Sequence, residues 1–185
     1  MPRFDADWID YLLQPARRGS PPAEEILAQL GIRPGETIAD VGCGPGFFTI
    51  AAGQAVGPTG RVVAVELERS MLDLVQAAAA EAGLSNVEVR QSTDGSLPLE
   101  NGLADLTLCA LVLHDLPEPL SVVRELARIT RPAGRIAVVE WIPQENEQRP
   151  NRLRPDRVTE LLAQVGRRTV DVRQISDQQY LLIAN

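Results

Sequence analysis

The 185-residue chain contains no lysine, one histidine and two cysteines, and only 4% of its residues are aromatic. Each scarcity removes a class of chemistry. Without lysine no Schiff base can form on the chain and no lysine can serve as a base. The phosphate loop that ends in Gly-Lys-Ser/Thr is excluded for the same reason. All 18 basic residues are arginine, and genomic base composition is the plain explanation. One histidine and two scattered cysteines, Cys43 and Cys109, cannot assemble a zinc site, so no metal is expected. Cysteines this few point to a reduced intracellular chain, not a disulfide scaffold. No apolar run reaches the roughly 18 residues needed to cross a membrane. The segment Met1 to Asp5 lacks the basic and apolar regions of a signal peptide, so a cytoplasmic protein is expected.

What is present suits a single domain with a sizeable core: 44% of the residues are hydrophobic. The net charge of −7 repels phosphate backbones and disfavours a nucleic-acid partner. The arginines that could locally reverse this are Arg149, Arg152, Arg154, Arg157, Arg167 and Arg168, although 143–155 also reads as an ordinary solvated polar loop. Nothing in the sequence speaks to oligomeric state.

Hydrophobic periodicity divides the chain. Residues 1–33 are read as an N-terminal helical cap or lid, with helices over 4–13 and 23–30; Phe4, Trp8 and Tyr11 are either the closing face of that lid or ordinary packing. Residues 34–142 alternate strand and helix with short connections. Strands are predicted at 37–41, 61–66, 87–90, 106–111 and 135–140, and helices at about 46–56, 69–82 and 118–130, the last closed by Pro132 and Gly134. Such alternation implies a doubly wound parallel sheet covered on both faces. Residues 143–185 differ: a helix over 156–165 precedes strands at 168–175 and 179–184, too closely joined to pair other than antiparallel.

The chemistry concentrates at Asp40-Val41-Gly42-Cys43-Gly44-Pro45-Gly46, where an apolar strand ends in an acid and opens into a loop with glycine at alternate positions. Glycine lets the backbone turn tightly and lets a ligand lie against it. The next strand ends at Glu66, twenty residues after Gly46, where an acid in such a sheet holds ribose hydroxyls. A nucleoside cofactor is implied. A dinucleotide is disfavoured because G-x-G-x-x-G would need glycine where Phe47 stands; a nicotinamide-dependent oxidoreductase is thereby the weaker reading.

Asp40-x-Gly42-x-Gly44-x-Gly46 with Glu66 resembles the first two motifs of class I S-adenosylmethionine (SAM) dependent methyltransferases, specifically the small, type 11-like members. The resemblance is strong over 34–142, looser from 156 onward and weakest over 1–33. It implies a Rossmann-like sheet of five parallel strands plus a C-terminal antiparallel hairpin, seven strands in all. It implies that Gly42, Cys43, Gly44 and Gly46 pack against the methionine part of SAM and that Glu66 takes the ribose. By the same resemblance Asp40 orients the loop or contacts the amino group, Leu67 and Met71 contact the adenine, and Leu111 lies in the strand-4 region that lines the pocket. The adenine amino group would be taken by an Asp four residues before Leu97-Pro98, but Thr93 stands there and the acid is Asp94, one residue later. Either residue is a candidate, or Asp94-Gly95 is simply a turn.

His114, the chain's sole histidine, follows strand 4 at the ligand edge and is the one candidate for acid–base work, against the alternatives of pocket lining and helix capping. Glu140 and Trp141 end strand 5 on the same side, with Trp141 read as core packing, whereas Asp105 at the far edge reads as structural. The resulting expectation is a SAM-dependent methyltransferase acting on a small molecule. The alternative is a non-catalytic SAM-binding sensor or interaction protein. No acceptor-specific motif is present, and in particular no Asn-Pro-Pro-aromatic run follows strand 4.

Overall fold

In the computed structural model, residues 6–14, 19–93, 96–144 and 151–185 are described. Strands β1 (Thr37–Val41), β2 (Arg61–Glu66), β3 (Val87–Gln91), β4 (Ala104–Ala110), β5 (Thr130–Trp141), β6 (Thr169–Gln174) and β7 (Gln179–Ala184) form one sheet in the order β3-β2-β1-β4-β5-β7-β6. The first five are mutually parallel, and β7 enters antiparallel between β5 and the edge strand β6. This is the arrangement that the alternation and the closely joined last two strands predict.

The sheet is covered on both faces, which explains why its central strands are apolar runs with little alternation. Ile38, Val62, Leu106, Leu108 and Val139 meet Ile26, Phe48, Ala52 and Val56 of helices α2 (Ala23–Ala28) and α3 (Phe47–Val56). Their neighbours in sequence point the other way. Ala39, Val63, Val138 and Leu182 pack on Val123, Leu126, Ile129, Leu161 and Leu162 of α5 (Pro119–Ile129) and α6 (Pro155–Gln164). Helix α4 (Arg69–Glu81) adds Leu72 and Val75 against Ala64 and Cys43, and a helix α1 (Ala6–Leu13) precedes them all. No described helix is long and apolar enough to cross a membrane.

Two local departures from expectation have clear causes. Strand β5 begins at Thr130, not Arg135, because Thr130 pairs with Ala104 before the ladder resumes at Leu106 and Arg135. Pro132, which has no N–H to give a ladder, and Gly134 therefore sit in a bulge and do not form a helix-ending turn. A Cβ on Gly134 would lie 2.9 Å from the Ala104 carbonyl, so only glycine lets the bulge close. The last carbonyls of α5 are instead taken by Arg167, whose guanidinium donates to Ala127 O at 3.1 Å and Thr130 O at 2.7 Å. Strand β4 runs from Ala104 to Ala110, and the chain then leaves it through a 3-10 turn, Leu113–Asp115, that periodicity did not signal.

The amino ends of the strands are closed by ion pairs. Asp105 accepts from the Thr37 N–H at 2.7 Å and pairs with Arg131, while Glu36 pairs with Arg135 at 2.9 Å. The opposite edge carries the site.

Candidate active site

At the carboxyl edge the chain reverses immediately after β1. The N–H groups of Gly42 and Cys43 both donate to Val65 O, at 2.8 and 3.1 Å, which pulls the loop back over β2. Gly42 and Gly46 have φ of +71° and +100°, a region costly for residues bearing a Cβ, so their presence follows from the reversal. A Cβ on Gly42 would sit 2.4 Å from Val112 Cγ2, whereas one on Gly44 would meet nothing within 4 Å. The loop thus presses one glycine onto the segment after β4 and turns the bare backbone of another toward open space.

Glu66 borders that space. Its Oε1 accepts from the N–H groups of Leu67 (2.8 Å) and Glu68 (3.2 Å), and its Oε2 accepts from the Gly44 N–H at 3.1 Å. Three backbone donors hold the carboxylate in place beside Gly44. This combination is a charged acceptor, able to receive hydrogen bonds from ligand hydroxyls, next to backbone that no side chain shields.

Asp40 is buried and accepts from Thr49 Oγ1 at 2.6 Å, tying the end of β1 to the first turn of α3. Burial raises its pKa to about 6; the Thr49 hydrogen bond opposes the rise and the charge of Glu66 adds to it. The Cys43 thiol is driven up by burial and by the charges of Asp40 and Glu66, which makes it a packing group and not a nucleophile. Cys109 is likewise buried and free.

The remaining expected contacts divide. Leu67 is 36% exposed at the mouth of the site, but Met71 is 1% exposed, enclosed within the packing of α4. The two are therefore not presented on one surface. Thr93 is exposed and pairs with Ser96 through backbone hydrogen bonds, and Asp94 lies outside the described residues. Leu111 adopts φ of +59°, the one described non-glycine residue at positive φ, with its N–H donated to Val139 O at 2.8 Å. A left-handed non-glycine residue costs roughly 1–2 kcal/mol, and here it redirects the chain out of β4 toward His114. Of the aromatic cap, Phe4 and the Trp8 side chain lie outside the described residues, and Tyr11 is half-buried.

Beyond the strained turn is a cleft of about 420 Å³, bordered by Leu113, His114, Leu116, Pro117, Arg152 and Leu153 among others. His114 is fixed from below: its Nδ1 lies 2.8 Å from Oε2 of Glu140, and its backbone N–H donates to Oε1 at 3.3 Å. Glu140 is completely buried. Burial alone would lower the imidazole pKa, but the hydrogen bond to Glu140 and the charges of Glu140 and Asp115 outweigh both burial and Arg152, and the net shift is upward. Arg152 stacks its guanidinium 5.0 Å over the Trp141 ring and donates to Ile142 O at 2.8 Å. Trp141 is buried as expected. Of the other arginines of the suspected basic stretch, Arg154 pairs with Asp156, Arg157 with Glu160, and Arg167 with the end of α5, while Arg168 exchanges backbone hydrogen bonds with Asn185. Arg149 lies outside the described residues.

Sequence reasoning named His114 and Glu140 singly and missed that they bond; no spacing rule links a turn residue to a strand residue 26 positions later. It also missed Thr49 and Val112. Thr49 left a signal, as a polar residue on the buried side of a mostly apolar helix, nine positions after a buried acid.

The fold is that of the class I SAM-dependent methyltransferases. The chain belongs to the methyltransferase-domain family, which matches residues 39–138. It is 31% identical over 116 residues to a demethylmenaquinone methyltransferase of Lactococcus lactis, a stretch covering 63% of this chain and 46% of that protein. It is 31% identical over 153 residues to an arsenite methyltransferase of Halobacterium salinarum, covering 83% of this chain and 37% of that one. The crystal structure of a SAM-dependent methyltransferase from Aquifex aeolicus superposes with a TM-score of 0.87 at 28% identity, over 98% of both chains. The chain spans about half or less of the length of these curated relatives.

Two outcomes are expected. Gly42→Ala, which must move Val112, should destabilise the protein by about 1–3 kcal/mol in urea unfolding. Gly44→Ala meets open space, so it should cost only about 1–2 kcal/mol from its positive φ while weakening SAM binding. The second concerns pH. Asp40 titrates at about 6 when folded and at 3.8 as a free carboxyl, so between these values the folded chain retains a proton that the unfolded chain has released. Its contribution to stability is therefore greatest at low pH and falls as pH rises from about 4 to about 6, by on the order of 3 kcal/mol. Asp40→Asn should remove that slope in unfolding measured at pH 4 and pH 7.

Proposed function

We propose that the chain transfers a methyl group from SAM to a small-molecule acceptor held in the cleft beside His114. The observation that carries this reading is adjacency. Gly42 of the cofactor loop presses on Val112, one residue before the Leu113–Asp115 turn that walls the cleft. A donor laid along the glycines and an acceptor in the cleft are then neighbours at one sheet edge, where open α/β sheets bind their ligands.

The residues that would hold SAM are the backbone of 42–46 against its methionine portion and Glu66 against its ribose, with Leu67 at the adenine and either Thr93 or Asp94 at the exocyclic amine. Asp40, bonded to Thr49, acts by orienting the loop. SAM, when bound, supplies an activated methyl group on a sulfonium. What remains for the chain is to align the nucleophile and exclude water, and alignment alone can contribute about 7–11 kcal/mol. The cleft volume of about 420 Å³ suits a small organic molecule. Curated relatives carry names that mention demethylmenaquinone, arsenite and nocamycin, a range of small acceptors too broad to choose one for this chain.

Calorimetric titration with SAM, and separately with S-adenosylhomocysteine, tests the reading. Micromolar binding of both, the product as tightly as the donor or more so, is expected; binding of neither would sink it. Glu66→Ala should weaken SAM binding by roughly 1.5–3 kcal/mol, the worth of hydrogen bonds to a charged acceptor. Unchanged affinity in a folded variant would remove Glu66 from the ribose site.

A further inference from the structure

The most unusual polar contact in the molecule lies outside the cofactor loop. Glu140, fully buried at the end of β5, finds its one ion-pair partner among the described residues in the chain's single histidine. Burying a carboxylate is costly unless it is paired and hydrogen-bonded. This one receives the His114 ring at 2.8 Å and the N–H groups of His114 and Trp141, each at 3.3 Å. A carboxylate oxygen accepts, so Nδ1 is the ring nitrogen that carries hydrogen. The neutral imidazole therefore keeps its lone pair on Nε2, and the ring borders the cleft.

We propose that His114 Nε2 takes the proton from a hydroxyl-bearing acceptor, a small phenol or enol, with Glu140 as the positioning residue that fixes the ring and its tautomer. This deepens the methyl-transfer reading above and rests on it. In the step, the acceptor O–H bond breaks and its proton passes to Nε2. An oxygen lone pair forms the new bond to the methyl carbon, and the electron pair of the breaking C–S bond stays on sulfur, leaving a neutral thioether. The imidazolium then releases its proton to water.

The choice of oxygen follows from what a base changes. A neutral amine attacks through an existing lone pair and sheds its proton afterwards, and a thiol ionises near 8.5 without help. A phenol ionises near 10, so near neutrality its oxygen is a weak nucleophile until a positioned base removes the proton, an effect worth about 10²–10⁴-fold. Leu116, Pro117 and Leu153 supply the apolar part of the cleft wall against which the body of such a molecule can rest. The groups facing the imidazole come from each adjoining segment. Asp115, in the same turn, lies 3.5 Å from Nε2; Glu140 comes from β5 and Arg152 from the segment before α6. Tyr180 of β7, opposite Glu140 in the ladder, spends its hydroxyl on Leu153 O at 2.8 Å. The acids prevail over burial and Arg152, so the ring is a stronger base than free imidazole.

A single histidine makes the test direct. Labelled with ¹⁵N-histidine, the full chain gives one imidazole, whose tautomer and pKa are read by NMR against pH without turnover. The expected result is hydrogen on Nδ1 and a pKa above 6.5 that falls in Glu140→Gln. In parallel, labelled SAM is offered with 4-methylphenol, the enol of acetylacetone, 4-methylaniline and 4-methylbenzenethiol. Methylation should favour the two hydroxyl probes and rise with pH through the imidazole pKa. His114→Gln should cut kcat at least 100-fold with SAM affinity within threefold. Glu140→Gln should lower kcat about 10-fold or more, leave KM within threefold and move the acid limb to lower pH together with the NMR pKa. Hydrogen on Nε2, a pKa indifferent to Glu140→Gln, a flat pH profile, preference for amine or thiol, or no methylation of either hydroxyl probe would overturn the assignment while SAM still binds. Failure to bind SAM would remove the methyl-transfer reading, and this assignment with it.

Discussion

The site depends on one carbonyl. Val65 O receives the N–H groups of both Gly42 and Cys43, and this paired bond folds the chain back over β2 the moment β1 ends. From it follow the left-handed conformations at the alternate glycines, the approach of Gly44 to Glu66, the contact of Gly42 with Val112 and the starting point of α3. The bond is available only because β1 and β2 are parallel neighbours in register, Val41 against Val65. The architecture of the sheet and the geometry of the glycine loop are thus one constraint seen at two scales.

Two acids are buried at this edge, one at the end of β1 and one at the end of β5, and their partners set them apart. Asp40 has a neutral hydroxyl, Thr49, which is too weak to offset desolvation, and its proton is held up to about pH 6. Glu140 has an imidazole that can itself carry charge, so here the shift is carried by the histidine, upward. The Asp40 pair serves the shape of the loop, since both members are packed away from solvent. The His114–Glu140 pair reaches the surface of a cleft, and a buried acid beneath a partly open base is an arrangement suited to moving a proton.

How much of this the sequence disclosed depends on the range of the interaction. The order of strands and helices was legible because apolar periodicity is local, and the glycine loop with Glu66 was legible because both its parts lie at strand ends a short distance apart. Pro132 and Gly134 mark the end of α5 as read from the sequence, but the bulge they form is not legible there. Proline and glycine mark a break in regular pairing, but whether the chain turns or bulges depends on the partner strand, here the Ala104 carbonyl. Met71 illustrates another limit: its helix was foreseen, but which side of α4 the surrounding layers enclose is a tertiary outcome. The bond between His114 and Glu140 required knowing that β4 and β5 are adjacent and that the segment after β4 turns back over the end of β5.

That turn is where strain and function meet. Leu111, at positive φ with its N–H on Val139, spends stability to leave β4 at an angle that an ordinary strand exit would not give. A glycine would relieve the strain, yet Leu111 also packs on the apolar layer beneath α3, and a glycine would give up that contact. The side chain anchors the turn while the backbone bends it. The consequence is carried forward residue by residue: Val112 is set against Gly42, Leu113 is wholly buried in the opposite layer, and His114 is left above Glu140. A glycine loop that excludes a side chain and an imidazole held against a buried carboxylate are thereby placed by the same four residues.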